Sequence, residues 1–262
     1  MVVRLTTTEL SFINPNWPAP ASVKVFSSTR LGGVSRDSEE QFNLRSLNLA
    51  MHVQDQAEDV LQNRQRVSEA VKFPSEPVWL QQVHGVELIT LSDQTYNSPP
   101  MADGIISQTP GRVLSIMTAD CLPIMICNTQ GTEIAALHAG WRSLAGGIIE
   151  RTIDQMTSSP SDLIAWGGPC IGPDAFEIGG EVREQLGGSD SAYTASENKD
   201  KYYANLYELA GQRLANLSVF QYTHANACTF KQADRFFSHR RSMQLTAKDC
   251  GRMATFIWID SK

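Results

Sequence analysis

The chain lacks a long apolar run. Its most apolar stretch, Leu114 to Cys127, is interrupted by Asp120 and Pro123 and is too short to span a bilayer. No basic segment leads into an apolar core at Met1–Glu9, so no secretory signal is read and a cytoplasmic protein is expected. A basic surplus is missing too. Lys and Arg number 22 against 28 Asp and Glu, a net charge of -6, which argues against a nucleic-acid face. Five cysteines, an odd number, widely spaced and without a CxxC pair, make neither a disulfide framework nor a zinc ribbon. Five histidines are too few to ligand several coppers comfortably. GxGxxG opening a βαβ unit, GxxxxGK[ST], HExxH and GxSxG are all absent. Pro169-Cys170-Ile171-Gly172 starts like a zinc cytidine-deaminase signature but lacks the second cysteine. No Gly/Ser linker or internal repeat divides the 262 residues, of which 42% are apolar. One α+β domain over 1–262, with substantial mixed sheets, is therefore expected.

What is present begins with periodicity. Val23 to Ser27 reads as a strand. The glycine turn Thr29-Arg30-Leu31-Gly32-Gly33-Val34-Ser35 follows, a segment able to bring backbone amides close to a ligand or to serve as an ordinary loop. Val60, Val67 and Val71 recur at helical spacing over Gln56–Val71, with Glu58 and Asp59 in the first turn, where acids suit the macrodipole. Strands are predicted at Val78–Val83, Val86–Leu91, Gly104–Ser107, Arg112–Met117, Leu122–Cys127, Glu133–Leu137 and Leu163–Trp166, with Met253–Ile259 inside a sheet. Helices are predicted at Trp141–Met156 and Ala204–Leu217. The polar stretch Gly187–Asp200 reads as a mobile loop.

Three strand ends carry chemistry. Val78 to Val83 runs into His84-Gly85, Leu114 to Met117 into Thr118-Ala119-Asp120-Cys121, and Ile134 to Leu137 into His138-Ala139-Gly140-Trp141-Arg142. A sheet can deliver several such ends to one point. Two imidazoles and a thiolate suit zinc with an open fourth position. The plain alternative is a hydrogen-bonded histidine and a packed cysteine at each end. Asp120 after an apolar run needs a partner, as an orienter or general base or simply as a carboxylate satisfied by backbone N–H groups. Arg30 and Arg142 are anion holders or surface ion-pair partners. Cys127, Cys170, Cys228 and Cys250 read as small buried hydrophobes. His52, His224 and His239 have no comparable context, and His239 reads as part of a packed strand end.

These motifs, together with Gln82-Val83-His84-Gly85, Gly168-Pro169-Cys170-Ile171-Gly172-Pro173, Phe236-Phe237-Ser238 and Gly251-Arg252-Met253-Ala254, occur in one order from about Val23 to Ile259. Together they closely resemble the bacterial purine nucleoside phosphorylase family formerly labelled polyphenol oxidase or laccase-domain protein. The resemblance implies a four-layer α/β/β/α sandwich and a catalytic zinc, with copper possible, on His84, Cys121 and His138. It implies phosphorolysis of adenosine, guanosine and inosine, cleavage of methylthioadenosine, and adenosine deamination. Asp120 is then the expected proton relay. Arg30 with the Gly32-Gly33 amides is the expected phosphate holder, Arg142 a weaker one, and Gln82 and Asn48 contact base or ribose. The expected partners are a small-molecule nucleoside and phosphate, with no nucleic acid and no membrane, for a monomer or weak homodimer. Rival readings are copper-linked phenol oxidation, a Cys121 hydrolase acting on a peptidoglycan precursor, and a noncatalytic metal-binding module. The sequence departs from the family pattern at Leu49-Ala50 and His52-Val53-Gln54-Asp55, at Ser143, and in a longer segment at Arg241–Gly251.

Overall fold

A computed structural model describes residues 9–37, 44–92 and 96–261. Residues 1–8, which make up most of the Met1–Glu9 stretch on which the expectation of no secretory signal rests, lie outside the described residues. Two sheets pack face to face. The smaller runs β1 (Phe12–Ile13), β2 (Val23–Ser28), β13 (Met253–Ile259), β5 (Leu114–Thr118). The larger runs β12 (Gln221–His224), β8 (Leu163–Gly167), β6 (Leu122–Asn128), β7 (Ile134–Ala139), β4 (Gly104–Ser107), β3 (Leu88–Leu91), with parallel pairs only at its two edges.

The apolar alternation explains the layers. In β6, Met125 and Cys127 face the other sheet, where they meet Ile116 of β5 and Ile257 of β13. Leu122, Ile124 and Ile126 point the opposite way. They pack beneath α3 (Ile148–Gln155) and α5 (Leu206–Asn216), which contribute Ile148, Ile149 and Ile153, and Leu209, Ala210 and Leu214. A strand buried on both faces reads as an unbroken hydrophobic run. The outer face of the smaller sheet, with Phe26, Phe256 and Trp258, is covered by Val67 of α1 (Ala57–Val71). Phe256 stacks on Phe26 at 5.0 Å and meets Phe73 at 5.0 Å and Trp79 at 5.8 Å. The order is helix, sheet, sheet, helix, as the resemblance implies. None of the described helices is long and apolar enough to cross a membrane.

Several expectations are corrected. The single helix over Trp141–Met156 is two, α2 (Trp141–Ala145) and α3, because Gly146-Gly147 interrupts it and Gly147 takes φ +88°. Val78–Val83 is no strand, and only Val78 and Gln81 make isolated bridges. The segment Gly187–Asp200 is no simple loop. It holds β10 (Tyr193–Ala195), paired with β11 (Lys201–Ala204), which in turn pairs with β9 (Glu177–Gly179) in a third small sheet beside α4 (Gly180–Leu186). His239 does not end a strand; it opens α6 (His239–Thr246), which runs into the lengthened segment Arg241–Gly251.

Candidate metal centre

The chain leaves the smaller sheet at Thr118 and enters the larger one at Leu122. The crossing Ala119-Asp120-Cys121 turns on Asp120 at φ +90°. Register pairs Leu122 with Ala139 and Pro123 with His138, so the end of β7 lies beside Cys121. His84 arrives on the turn Val83-His84-Gly85 with its own φ at +59°, a left-handed conformation that costs a non-glycine residue about 1–2 kcal/mol.

The nearby carboxylate of Asp103, fully buried, holds that turn. Its Oδ2 accepts from the Val83 and Gly85 amides at 3.1 and 2.7 Å, and its Oδ1 from the His84 amide at 2.9 Å. The same Oδ1 lies 2.7 Å from His138 Nδ1. Cys121 Sγ stands 3.9 Å from His84 Nε2, and one donor atom from each of His84, Cys121 and His138 lies within 4.8 Å of the others. The two imidazole rings meet edge to face, with centroids 4.8 Å apart. Among the described residues, no other group of three or more His, Cys, Asp and Glu is close enough to hold a metal. Gly140 leaves room for the sulfur: a Cβ there would come within 2.9 Å of Sγ and 3.3 Å of His84 Cδ2.

Electrostatics favour the ligand form of the sulfur. Burial pushes the Cys121 thiol up, but His138 and His84 together outweigh it and hold it at about 6. Burial pushes His138 down, and the Cys121 sulfur and Asp103 carboxylate more than reverse this, lifting it to about 9. The thiolate is the metal-binding form. Cys127 and Cys250 behave as expected of buried thiols, pushed by burial up to about 12. Cys170 is buried as well, whereas Cys228 is only half-buried and accepts from the Gly172 amide at 3.2 Å.

The donors open into a cavity of about 500 Å³, within the range of small-molecule sites. Its lining includes the apolar side chains Trp141, Ile171, Phe176, Leu206 and Met243. Interleaved with them are Arg142, Arg240, Arg252, His52 and His239. Of these, the sequence reading singled out only Arg142. Asp249 fixes two of the others, accepting from Arg252 Nη2 at 2.9 Å and lying 3.0 Å from His239 Nδ1. Asp103 was also missed; the available signal was a carboxylate entering the fully buried strand Gly104–Ser107.

The remaining expected site residues divide. Arg142 is exposed in the cavity, its guanidinium 4.3 Å over the Trp141 ring. Gln82 lines the cavity with its amide bound at both ends to Met117, donating to the carbonyl and accepting from the N–H at 2.8 Å each. Asp120 lines it too, but Oδ1 accepts from Thr229 Oγ1 at 2.6 Å, and Oδ2 from Ser238 Oγ at 3.0 Å and the Arg240 amide at 2.7 Å. Arg30 and Asn48 are not among the lining residues. Arg30 is buried, donating to the Ala233 and Arg45 carbonyls at 3.2 and 3.3 Å. Asn48 is fully buried and bonded to Ala50, Asp55 and the Arg252 amide. Gly33 closes against Ser46 of its own chain, where a Cβ would sit 2.2 Å from the carbonyl oxygen.

Fold and site together define a four-layer α/β/β/α protein with one candidate two-histidine, one-cysteine metal site at the junction of its two central sheets. Residues 24–260 match the family model described as multi-copper polyphenol oxidoreductase laccase, and the chain belongs to that family. A relative from Escherichia coli K12, purine nucleoside phosphorylase YfiH, is 47% identical over 249 residues, covering 94% of this chain and 98% of the relative. A purine nucleoside phosphorylase of Haemophilus influenzae is 40% identical, covering 95% of this chain and 99% of its own. Among solved structures, a Neisseria meningitidis protein superposes with TM-score 0.85 at 36% identity, covering 95% of this chain and 99% of that one. YlmD from Geobacillus stearothermophilus superposes with TM-score 0.86 at 27% identity, covering 95% and 96%.

Proposed function

We propose that this protein is a zinc-dependent purine nucleoside phosphorylase acting on adenosine, guanosine, inosine and methylthioadenosine, and that it also deaminates adenosine. The observation that carries the proposal is the meeting of His84, Cys121 and His138 in one cavity sized for a nucleoside. The names of the relatives supply the substrate class. The donor set fits the ion. Tetrahedral zinc with ordinary bond lengths separates nitrogen and sulfur donors by roughly 3.3–3.8 Å, and the donors here, all within 4.8 Å, would draw together by up to about 1–1.5 Å around the ion. Zinc held there supplies Lewis acidity toward an oxygen of substrate, phosphate or water.

The chain's own residues do the rest. The apolar lining residues Trp141, Phe176 and Leu206 take the flat face of the base and exclude water from it. Arg142, which has no hydrogen-bond or ion-pair partner among the described residues and lies over the Trp141 ring, is the phosphate holder, in preference to Arg30, which does not line the cavity and donates from both Nη atoms to carbonyls. In phosphorolysis an oxygen of hydrogen phosphate bonds to the ribose anomeric carbon as the bond to the base nitrogen breaks, and the proton the phosphate gives up goes to the leaving base. In deamination water replaces the amino group at purine C6 and ammonia leaves.

The same donor set suits a mononuclear copper, which would give visible absorption and phenol oxidation. The close approach of Cys121 to two imidazoles also suits a cysteine hydrolase, which a covalent adduct on Cys121 would reveal. The deciding experiment is metal analysis of wild type and Cys121→Ala, paired with a nucleoside screen with and without phosphate. Ribose 1-phosphate and free base, formed only with phosphate, are expected, with inosine and ammonia from adenosine in its absence. A metal-loaded protein releasing none of these products would overturn the proposal.

A further inference from the structure

The geometry points to Asp103 as the positioning residue of the metal centre, a single buried carboxylate that sets both histidine donors at once; this rests on the reading that His84, Cys121 and His138 hold a metal. Four N–H donors converge on its two oxygens. Oδ2 takes the Val83 and Gly85 amides, and Oδ1 takes the His84 amide and His138 Nδ1. Asp103 is further locked in place by its backbone. Its amide donates to Glu87 at 2.9 Å and its carbonyl accepts from the His138 amide at 2.7 Å. The group is fully buried, so no water replaces any of these bonds.

Two consequences follow for the donors. A carboxylate only accepts, so the bond at 2.7 Å places the His138 proton on Nδ1 and leaves the Nε2 lone pair for the metal. The three amides of Val83, His84 and Gly85 are gathered by the same carboxylate, which holds His84 in its left-handed conformation with Nε2 toward Cys121 Sγ. One side chain therefore couples the tautomer of one ligand to the backbone of the other.

Asparagine cannot do both. With its NH2 toward His138 it favours a proton on Nε2, and that nitrogen no longer binds metal. With its NH2 toward the turn it meets the Val83 and Gly85 N–H groups as donor against donor. Partners of this kind are worth about 10–100-fold in metal affinity.

The test compares wild type, Asp103→Asn and Cys121→Ala as full-length proteins, measuring zinc affinity by competition with a chromophoric chelator. The absorption of each cobalt(II)-substituted form and the melting of each metal-free form are recorded alongside. Asp103→Asn is expected to melt cooperatively, to bind zinc about 10–100-fold more weakly, and to change the cobalt ligand-field bands. Zinc affinity within twofold of wild type with an unchanged cobalt spectrum would overturn the role of Asp103. If Cys121→Ala binds zinc as wild type does, the metal reading itself fails. Should Asp103→Asn not fold, 15N-histidine NMR of zinc-loaded wild type decides. His138 protonated on Nδ1 and bound through Nε2 is expected, and the opposite tautomer overturns the proposal.

Discussion

Replacing Gly140 by alanine tests the metal centre with the smallest possible intrusion. The backbone there, φ -62° and ψ 161°, suits alanine as well as glycine. Less freedom in the unfolded chain favours the variant by about 0.4–1 kcal/mol. Gly140 is also the N-cap of α2, where alanine is the poorer residue by up to roughly 1 kcal/mol. The two effects oppose each other, so the metal-free Tm should move by no more than about 2–4 °C, the equivalent of ~1 kcal/mol in a chain of this size. The site is affected differently. The added methyl would lie 2.9 Å from Cys121 Sγ and 3.3 Å from His84 Cδ2. Relaxed contacts of this kind lie at about 3.5–4.0 Å, so the sulfur must retreat by roughly 0.6–1 Å. Metal–ligand distances tolerate only about ±0.2 Å. Zinc affinity should fall at least about tenfold, or ~1.4 kcal/mol, and nucleoside turnover by about 100-fold. Chelator competition, thermal melting and a coupled product assay read the three quantities. Wild-type zinc affinity in a variant with a near-normal Tm would refute the placement of the sulfur beside Gly140.

Zinc uptake by the metal-free protein should depend on pH with a definite sign. Cys121 sits at about 6 and His138 at about 9, so between those values the sulfur is already a thiolate while His138 must still lose a proton to bind. Affinity should climb by up to about tenfold per pH unit from 6 to 9 and level off above; a flat profile across that window contradicts the pairing. Arg142→Ala should raise the KM for phosphate by an order of magnitude or more with a small change in kcat, whereas Arg30→Ala should lower Tm and leave that KM nearly unchanged. The reverse pattern would return the phosphate to Arg30. Phe256→Ala removes the centre of the aromatic cluster with Phe26, Phe73 and Trp79 and should cost about 3–5 kcal/mol, a drop of roughly 6–20 °C in Tm, without shifting zinc affinity at temperatures where the variant is folded.

The layers were legible wherever a strand is buried on both faces or a helix keeps its period. Leu122–Cys127 and Met253–Ile259 are of the first kind, and Val60 with Val67 marks the second. The helix over Trp141–Met156 was overread because Leu144, Ile148, Thr152 and Met156 keep a helical period across two glycines that break the backbone. The third sheet was missed because β9 and β10 are three residues each, too short for periodicity to register. In the site, His84, Cys121 and His138 were legible as unusual donors ending apolar segments. Asp103 was not, because three of its four partners are backbone N–H groups, and an amide carries no residue identity. Arg30 is opaque for the same reason: a guanidinium whose two Nη atoms donate to the Ala233 and Arg45 carbonyls, away from the cavity lining, looks in sequence like one facing phosphate.

Asp120 is the residue on which sequence and structure most differ in what they suggest. It turns the chain between the two sheets at φ +90°, and its carboxylate ties that crossing to Thr229, Ser238 and the Arg240 amide. Ser238 caps α6 by accepting from the Arg241 amide at 3.2 Å, and α6 brings His239, Arg240 and Met243 to the cavity. Three accepted hydrogen bonds hold both oxygens toward Thr229, Ser238 and Arg240 and fix the carboxylate in one orientation. Its geometry therefore suits a clamp on the α6 wall better than a relay. Asp120→Asn separates the two roles. Asparagine tolerates the left-handed backbone, but its NH2 either faces the Arg240 amide, which can only donate, or makes the Thr229 hydroxyl turn to accept from it. A clamp predicts a severalfold rise in nucleoside KM and faster amide exchange across His239–Thr246, with kcat retained within about tenfold. A relay predicts a kcat loss of about 100-fold or more with KM and exchange unchanged, and that result would restore the proton-transfer role to Asp120.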